Sequence, residues 1–280
     1  MAVSPLLRSG LAFALAACLC EPGVADDRFG CAQPLRLAFY RNELFYRDGH
    51  GIDPDLIAEL ARRSGCRFDT SVRSRADIWR ALQRGELDVA TSGVATDERR
   101  RYAFFVPYLY LRNKLIVPLS LAPDLRSLDD FQRLPGARLG VIAGYDLGPF
   151  YDGMLKILRG QGRVLDYPDD AARFKALLDG QVQGAIGHEL NLVGSIADAA
   201  QRRRFRVVDV APGPGVGHGL VLARGHFSAA QSAEWQRLIE DLRLDGGLAR
   251  IMLRNAPLDV AAGLTDSGYR FASEAKDVAP

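Results

Sequence analysis

Arginine crowds two short stretches of this sequence, Glu98-Arg-Arg-Arg101 and Arg73-Ser-Arg75, and His188 stands directly before Glu189. A guanidinium presents a planar, two-pronged donor set that matches a carboxylate, so an arginine facing a cleft is a ready anion holder. The same residues also read as solvated surface charge, and both readings stand at this point. A histidine beside a glutamate offers an acid and a base, although one adjacent pair is a weak signature of catalysis. No other His, Cys or acidic residue stands at ligand spacing from His188, so neither a metal nor a cofactor is expected.

The elements that must position these residues alternate. A strand at 35–40 precedes a helix from Asp53 to about Arg63, with Pro54 in its first turn and Leu56, Ile57 and Leu60 on one face. Asp55 near that helix start is a structural acid that suits the helix dipole. A strand at 67–72, a helix at about 76–84 ended by Gly85, and a strand at 87–91 complete a βαβαβ unit. A second such unit follows, with strands at 137–142, 163–167 and 182–186, a helix after Gly148-Pro149 and another at about 171–178. Lys114-Leu-Ile-Val117 reads as a crossing between two lobes, and the Gly/Pro-rich stretch 212–219 as the way back. Helices at about 229–244 and 247–254 close onto the first lobe. The expected division is 26–116 plus 216–280 for lobe 1 and 117–215 for lobe 2, an α/β clamshell of two mainly parallel sheets whose ligands sit between the lobes at the strand C-termini.

Composition narrows the partners. With 36 Lys+Arg against 34 Asp+Glu the net charge is only +2, too small a field to gather nucleic acid. A content of 48% hydrophobic and 25% charged residues excludes a disordered or fibrous chain. Residues 1–25 read as a signal peptide: Arg8, a short apolar run from Leu11, then Pro22 and small residues up to Ala25. Leu15-Ala-Ala-Cys18 also matches a lipoprotein cleavage box, so the exported product is either soluble or lipid-anchored at Cys18. No later run is long and apolar enough to span a bilayer. Cys31 and Cys66 each precede a strand-like stretch. If those strands are parallel neighbours, the two thiols meet at one sheet edge, and an oxidising compartment favours a disulfide over two buried thiols.

Several short pieces then fall in order: Gly51-Ile-Asp-Pro-Asp55-Leu56; Trp79-x-x-Leu82-x-x-Gly85-Glu-Leu-Asp88 leading to Gly93, Thr96-Asp-Glu-Arg99 and Phe105-Val-Pro107-Tyr108; Gly140-Val-x-Ala-Gly144; Leu177-Leu-x-Gly180-x-Val; and Asp245-Gly246-x-Leu-x-x-Ile251. This set resembles bacterial extracellular solute-binding proteins of the polar amino-acid type (family 3). The resemblance implies the two-lobed periplasmic-binding-protein type II fold, a periplasmic monomer and an ABC permease as partner. It implies that Arg99 holds the ligand's α-carboxylate and that backbone at Gly93 and Val94 meets its amine, with Ala95 replacing the usual hydroxyl.

The same resemblance places Gly144 and Tyr145 at a helix N-terminus suited to a carboxylate. Tyr40 and Phe45 or Tyr46 would form an aromatic wall, and Arg75 a second pocket contact that favours an anionic side chain. Where members that bind amino acids carry an Asp for the ammonium, this chain has His188 followed by Glu189. Either Glu189 takes that role or the ligand lacks a standard α-ammonium. The implied function is capture of an amino acid or related carboxylate for uptake. The alternatives are a ligand-sensing partner of a membrane protein and a cyclohexadienyl dehydratase-like enzyme on the same fold.

Overall fold

Short apolar strands alternating with amphipathic helices build two sheets in succession, and a computed structural model describes them over residues 27–42, 44–121, 123–211 and 215–256. The signal segment 1–25 and Cys18 lie outside the described residues. Lobe 1 opens with β1 (Leu35–Phe39), α1 (Ile52–Ser64), β2 (Phe68–Val72), α2 (Arg75–Gln83), β3 (Val89–Val94), the one-turn α3 (Asp97–Arg100) and β4 (Ala103–Leu111). Lobe 2 holds β5 (Lys114–Pro118), α4 (Leu128–Arg133), β6 (Leu139–Ile142), α5 (Pro149–Gly160), β7 (Val164–Tyr167), α6 (Asp170–Leu178), β8 (Gly184–Gly187), α7 (Glu189–Ser195), α8 (Ala199–Arg202) and β9 (Phe205–Val208). The chain returns to lobe 1 through β10 (Val216–Ala223), α9 (Ala229–Leu244) and α10 (Gly247–Asn255).

The strand orders are β2-β1-β3-β10-β4 and β7-β6-β8-β5-β9. In both sheets the first strand after a crossing, β5 or β10, runs antiparallel to its two neighbours. The remaining strands share one direction, so their C-terminal ends all reach the interlobe side. One expected boundary needs correction. Lys114, Leu115 and Ile116 pair with Gly187, Ile186 and Ala185 of β8, so residues 114–116 belong to lobe 2 and the crossing lies at 112–113. The Leu-Ile-Val run carries the same strand signal in either lobe, and only the hydrogen-bond register decides. On the return, Gly217 and Gly219 lie inside β10. A Cβ at Gly219 would stand 2.3 Å from the Val106 carbonyl oxygen, so the glycine lets β10 press against β4.

Each lobe has its own apolar core. In lobe 1 Trp235 of α9 is buried against Phe29 and Phe68 and donates its Nε1–H to Phe29 O at 3.0 Å. Asp55 accepts from Arg254 at 3.0 Å and Asn255 at 2.8 Å and ties α1 to α10, the structural role expected of it. Lobe 2 side chains reach across: Leu190, on α7, is buried in the lobe 1 core, and Tyr145 packs, partly buried, against Tyr40 and Trp79 of lobe 1.

The parallel pairing of β1 with β2 sets Leu35 opposite Phe68, so the segments entering both strands start side by side. Cys31 and Cys66 meet there in a disulfide with a Cα–Cα distance of 5.6 Å. It links residues 35 apart in sequence. Closing a loop of that size in the unfolded chain stabilises the fold by about 3–4 kcal/mol. The paired Cys31→Ser and Cys66→Ser variant is expected to lose about that much in urea denaturation, and an unchanged midpoint would contradict the role.

Candidate functional site

β3 ends at the cleft, and Ser92 bends it there with φ 53°, a left-handed conformation that strains a non-glycine residue. Two buried partners hold the bend. The Ser92 amide donates to Tyr108 OH at 2.9 Å, Ser92 Oγ donates to Asp53 Oδ2 at 3.0 Å, and Tyr108 OH donates to Asp53 Oδ1 at 2.6 Å. Tyr108 reaches inward because β4 bulges: His218 pairs with Leu109 and Gly219 with Pro107, leaving Tyr108 as the extra residue. Burial pushes the Asp53 carboxyl above its ordinary range, while the hydroxyl donors pull it back. Just beyond the bend, a Cβ on Gly93 would sit 2.1 Å from Val221 Cγ2, so glycine alone fits under Trp79.

This bend aims the Val94 carbonyl at Arg99. Thr96 caps α3, its Oγ1 accepting from the Arg99 amide at 3.2 Å, and turns the Arg99 side chain back toward β3. The guanidinium lies 3.9 Å above the Trp79 ring. Its Nη1 donates to Val94 O at 3.0 Å in lobe 1, and its Nη2 donates to Gly144 O at 3.1 Å in lobe 2. Burial lowers the guanidinium's pKa, with Asp146 opposing, yet an arginine stays charged across the working range. Val94 O, expected to meet a ligand amine, is therefore already engaged by Arg99.

Arg75 is not a surface cation. It opens α2 behind the Ser74 cap and is 2% exposed, its guanidinium 3.9 Å above the Tyr40 ring and its Nη1 donating to Thr91 O at 3.0 Å. Tyr40 thus supports Arg75 from beneath, and its hydroxyl reaches Asp170 of lobe 2 at 3.4 Å. Arg75 and Arg99 line one small pocket between the lobes, with a cavity volume of about 10 Å³, together with Trp79, Val94, Tyr145 and Asp146. Tyr46 is not among its walls. The tight Asn42–Tyr46 bridge folds its ring back onto Phe39, stacked at 4.8 Å, and Phe45 is buried in the lobe 1 core.

Lobe 2 contributes Gly144 and Tyr145, but not from a helix end. Gly144, at φ 76°, belongs to a turn, and α5 starts at Pro149 behind Gly148. Proline has no N–H and suits the first helical position, so α5 begins where the Gly148-Pro149 pair predicts, and not at Gly144 where the resemblance puts a helix N-terminus. A Cβ on Gly144 would stand 3.1 Å from Ala76 at the start of α2, so the lobes touch here. Glu189 turns to Lys114, which donates to it at 2.6 Å, and its side chain is 54% exposed. It does not enter the pocket and does not face His188 as a catalytic partner. The expectation that Glu189 takes over an ammonium-binding role has no geometric support here. His188 is buried, edge-on to Phe45 across the cleft, with both ring nitrogens unpartnered.

His218, on β10 of lobe 1, was not singled out by the sequence, where it sits in a glycine-rich stretch that reads as loop. Its ring lies 6.0 Å from that of His188, across the lobe interface, and its Nε2 is unpartnered. Burial drives both imidazoles below the ordinary 6.5, His218 to about 3. Trp79, Asp53 and Tyr108 were read as elements of motif or helix rather than as parts of the site, and Ser92 was not singled out. Among the described residues no group of three or more His, Cys, Asp or Glu is placed to hold a metal ion, and no helix is long and apolar enough to cross a membrane.

The histidine pair fixes a sign for pH dependence. A ring held neutral in the fold titrates near 6.5 when unfolded, so its contribution is intact above pH 6.5 and drains away as pH falls toward the folded value. Stability should fall by about 1.4 kcal/mol per pH unit for each ring between pH 6 and 5, above the carboxylate range. Replacing both by Gln should flatten that slope in thermal melts, and an equally steep slope in the variant would refute the assignment.

Comparison with known proteins places this geometry. The sequence profile of the bacterial extracellular solute-binding proteins, family 3, matches residues 45–254. A probable histidine-binding protein of Campylobacter jejuni is 26% identical over 149 residues, and the match spans 53% of this chain and only 55% of that relative's length. Among solved structures, an ancestral arginine-binding protein bound to arginine superposes with a TM-score of 0.67 at 20% identity, covering 80% of this chain and 98% of that one. The periplasmic binding protein of an arginine transport system from Legionella pneumophila gives 0.62 at 18% identity, with 80% and 100% covered. At these identities the structures speak for the two-lobed fold, and the profile match over three quarters of the sequence assigns the chain to the bacterial extracellular solute-binding proteins, family 3.

Proposed function

We propose that this protein captures an amino acid or related small carboxylate by closing its lobes, and hands it to an ABC-type permease from the periplasm. The observation that carries the reading is Arg99, a guanidinium stacked on Trp79 that donates to carbonyls of both lobes at the pocket. A carboxylate entering the pocket finds donors matched to its two oxygens, and a ligand held at that junction favours the closed state by its differential affinity for it. The disulfide suits an oxidising compartment, and the arginine- and histidine-binding relatives support an amino-acid ligand.

Binding rather than catalysis is the better reading of the cleft. His188 is buried and neutral, and Glu189 is engaged outside with Lys114, so the adjacent pair offers no acid and base to one reacting atom. Thermal-shift screening of amino acids and small carboxylates tests the proposal. A ligand at 100 times its dissociation constant adds about 2.7 kcal/mol. Arg99→Ala should abolish that shift while the free protein stays folded, and an undiminished shift in the variant would overturn the role of Arg99.

A further inference from the structure

The geometry points to a pocket that selects ligands carrying two carboxylates, with Arg75 as the second anion holder; this rests on the cleft being the ligand site. Arg75 is buried to 2% exposure, yet its Nη2 has no hydrogen-bond partner and it makes no ion pair with any described residue. Buried polar groups are nearly always satisfied, and an uncompensated buried guanidinium is among the more costly exceptions. Its one bonded nitrogen, Nη1, goes to a neutral carbonyl, Thr91 O, and the Tyr40 ring lies beneath. The free prong lies in a side chain that lines the same pocket as Arg99.

The carboxylates nearby are already committed. Asp53 is bonded by Ser92 and Tyr108, and Asp170 by Arg173 and Asn191. Only Asp146 lines the pocket, where it also accepts from the Gly148 amide at 2.9 Å. Two guanidiniums facing one carboxylate leave the pocket with an excess positive charge. A ligand with a cationic side chain would bring a third cation beside them, and a neutral side chain would leave Arg75 unpaired. A second carboxylate satisfies it, and an amine on the same ligand would fall to Asp146.

The test is calorimetric titration of the intact chain with isosteric pairs: glutamate against glutamine, and glutarate as the dicarboxylate without an amine. Glutamate should bind at least about 30-fold tighter than glutamine, the range expected when a buried charge gains or loses its partner. Arg75→Met should shrink that ratio to within about threefold, chiefly by weakening glutamate. Glutarate binding as tightly as glutamate also supports the proposal and shows that Asp146 does not read the amine. Glutamine, arginine or histidine binding as tightly as glutamate overturns the dicarboxylate inference and leaves the cleft as a binding site. If none of these compounds binds, the reading of the cleft falls with it. Should Arg75→Met fail to fold, the glutamate-to-glutamine ratio on the unaltered protein decides alone.

Discussion

One guanidinium lies on an indole and donates to a carbonyl on each side of an interlobe gap, and much of the remaining architecture exists to permit it. Arg99 needs Val94 O turned toward it, which needs the left-handed bend at Ser92. That bend needs Asp53 and Tyr108, and Tyr108 needs the bulge that Gly219 allows between β4 and β10. On the opposite side, Gly144 must come within contact of Ala76, which its missing side chain and positive φ both serve. A chain of small geometric requirements thus converges on a single cation, and each link is a named residue.

Near that cation several buried polar atoms have no partner among the described residues: Arg75 Nη2 and Trp79 Nε1 in side chains that line the pocket, and both ring nitrogens of His188 and Nε2 of His218 at the lobe interface. A protein core excludes such atoms because each forfeits its bonds to water.

Much of this was legible in the sequence, for physical reasons that differ by residue. Alternating strand and helix periodicity located most of the elements, because burial on a sheet enforces it. Cys31 and Cys66 declared their pairing through the parallel neighbourhood of β1 and β2. Arg99 stood out through motif spacing. Arg75 was named as a second contact, but the sequence left a surface charge equally open, since a short charged run looks the same whether it is solvated or sunk beneath a neighbouring lobe. Lys114–Ile116 fell on the wrong side of the boundary because strand propensity does not name a sheet. His218 hid among glycines that read as loop, although those glycines serve the close contact of β10 with β4. The start of α5 was legible in Gly148-Pro149, while the resemblance alone put a helix N-terminus at Gly144, which lies in a turn.

Leu190 carries a kinetic meaning. Its side chain belongs by covalent connection to one lobe and by burial to the core of the other. Drawing the halves apart would hydrate it at roughly 1.5–3 kcal/mol, the usual magnitude for a leucine. On the proposed capture by lobe closure, that cost favours the shut arrangement before any guest arrives and lowers the fraction of molecules ready to admit one. On that same proposal, shortening the side chain would loosen this hydrophobic catch and speed entry even where the final embrace of the guest is left untouched.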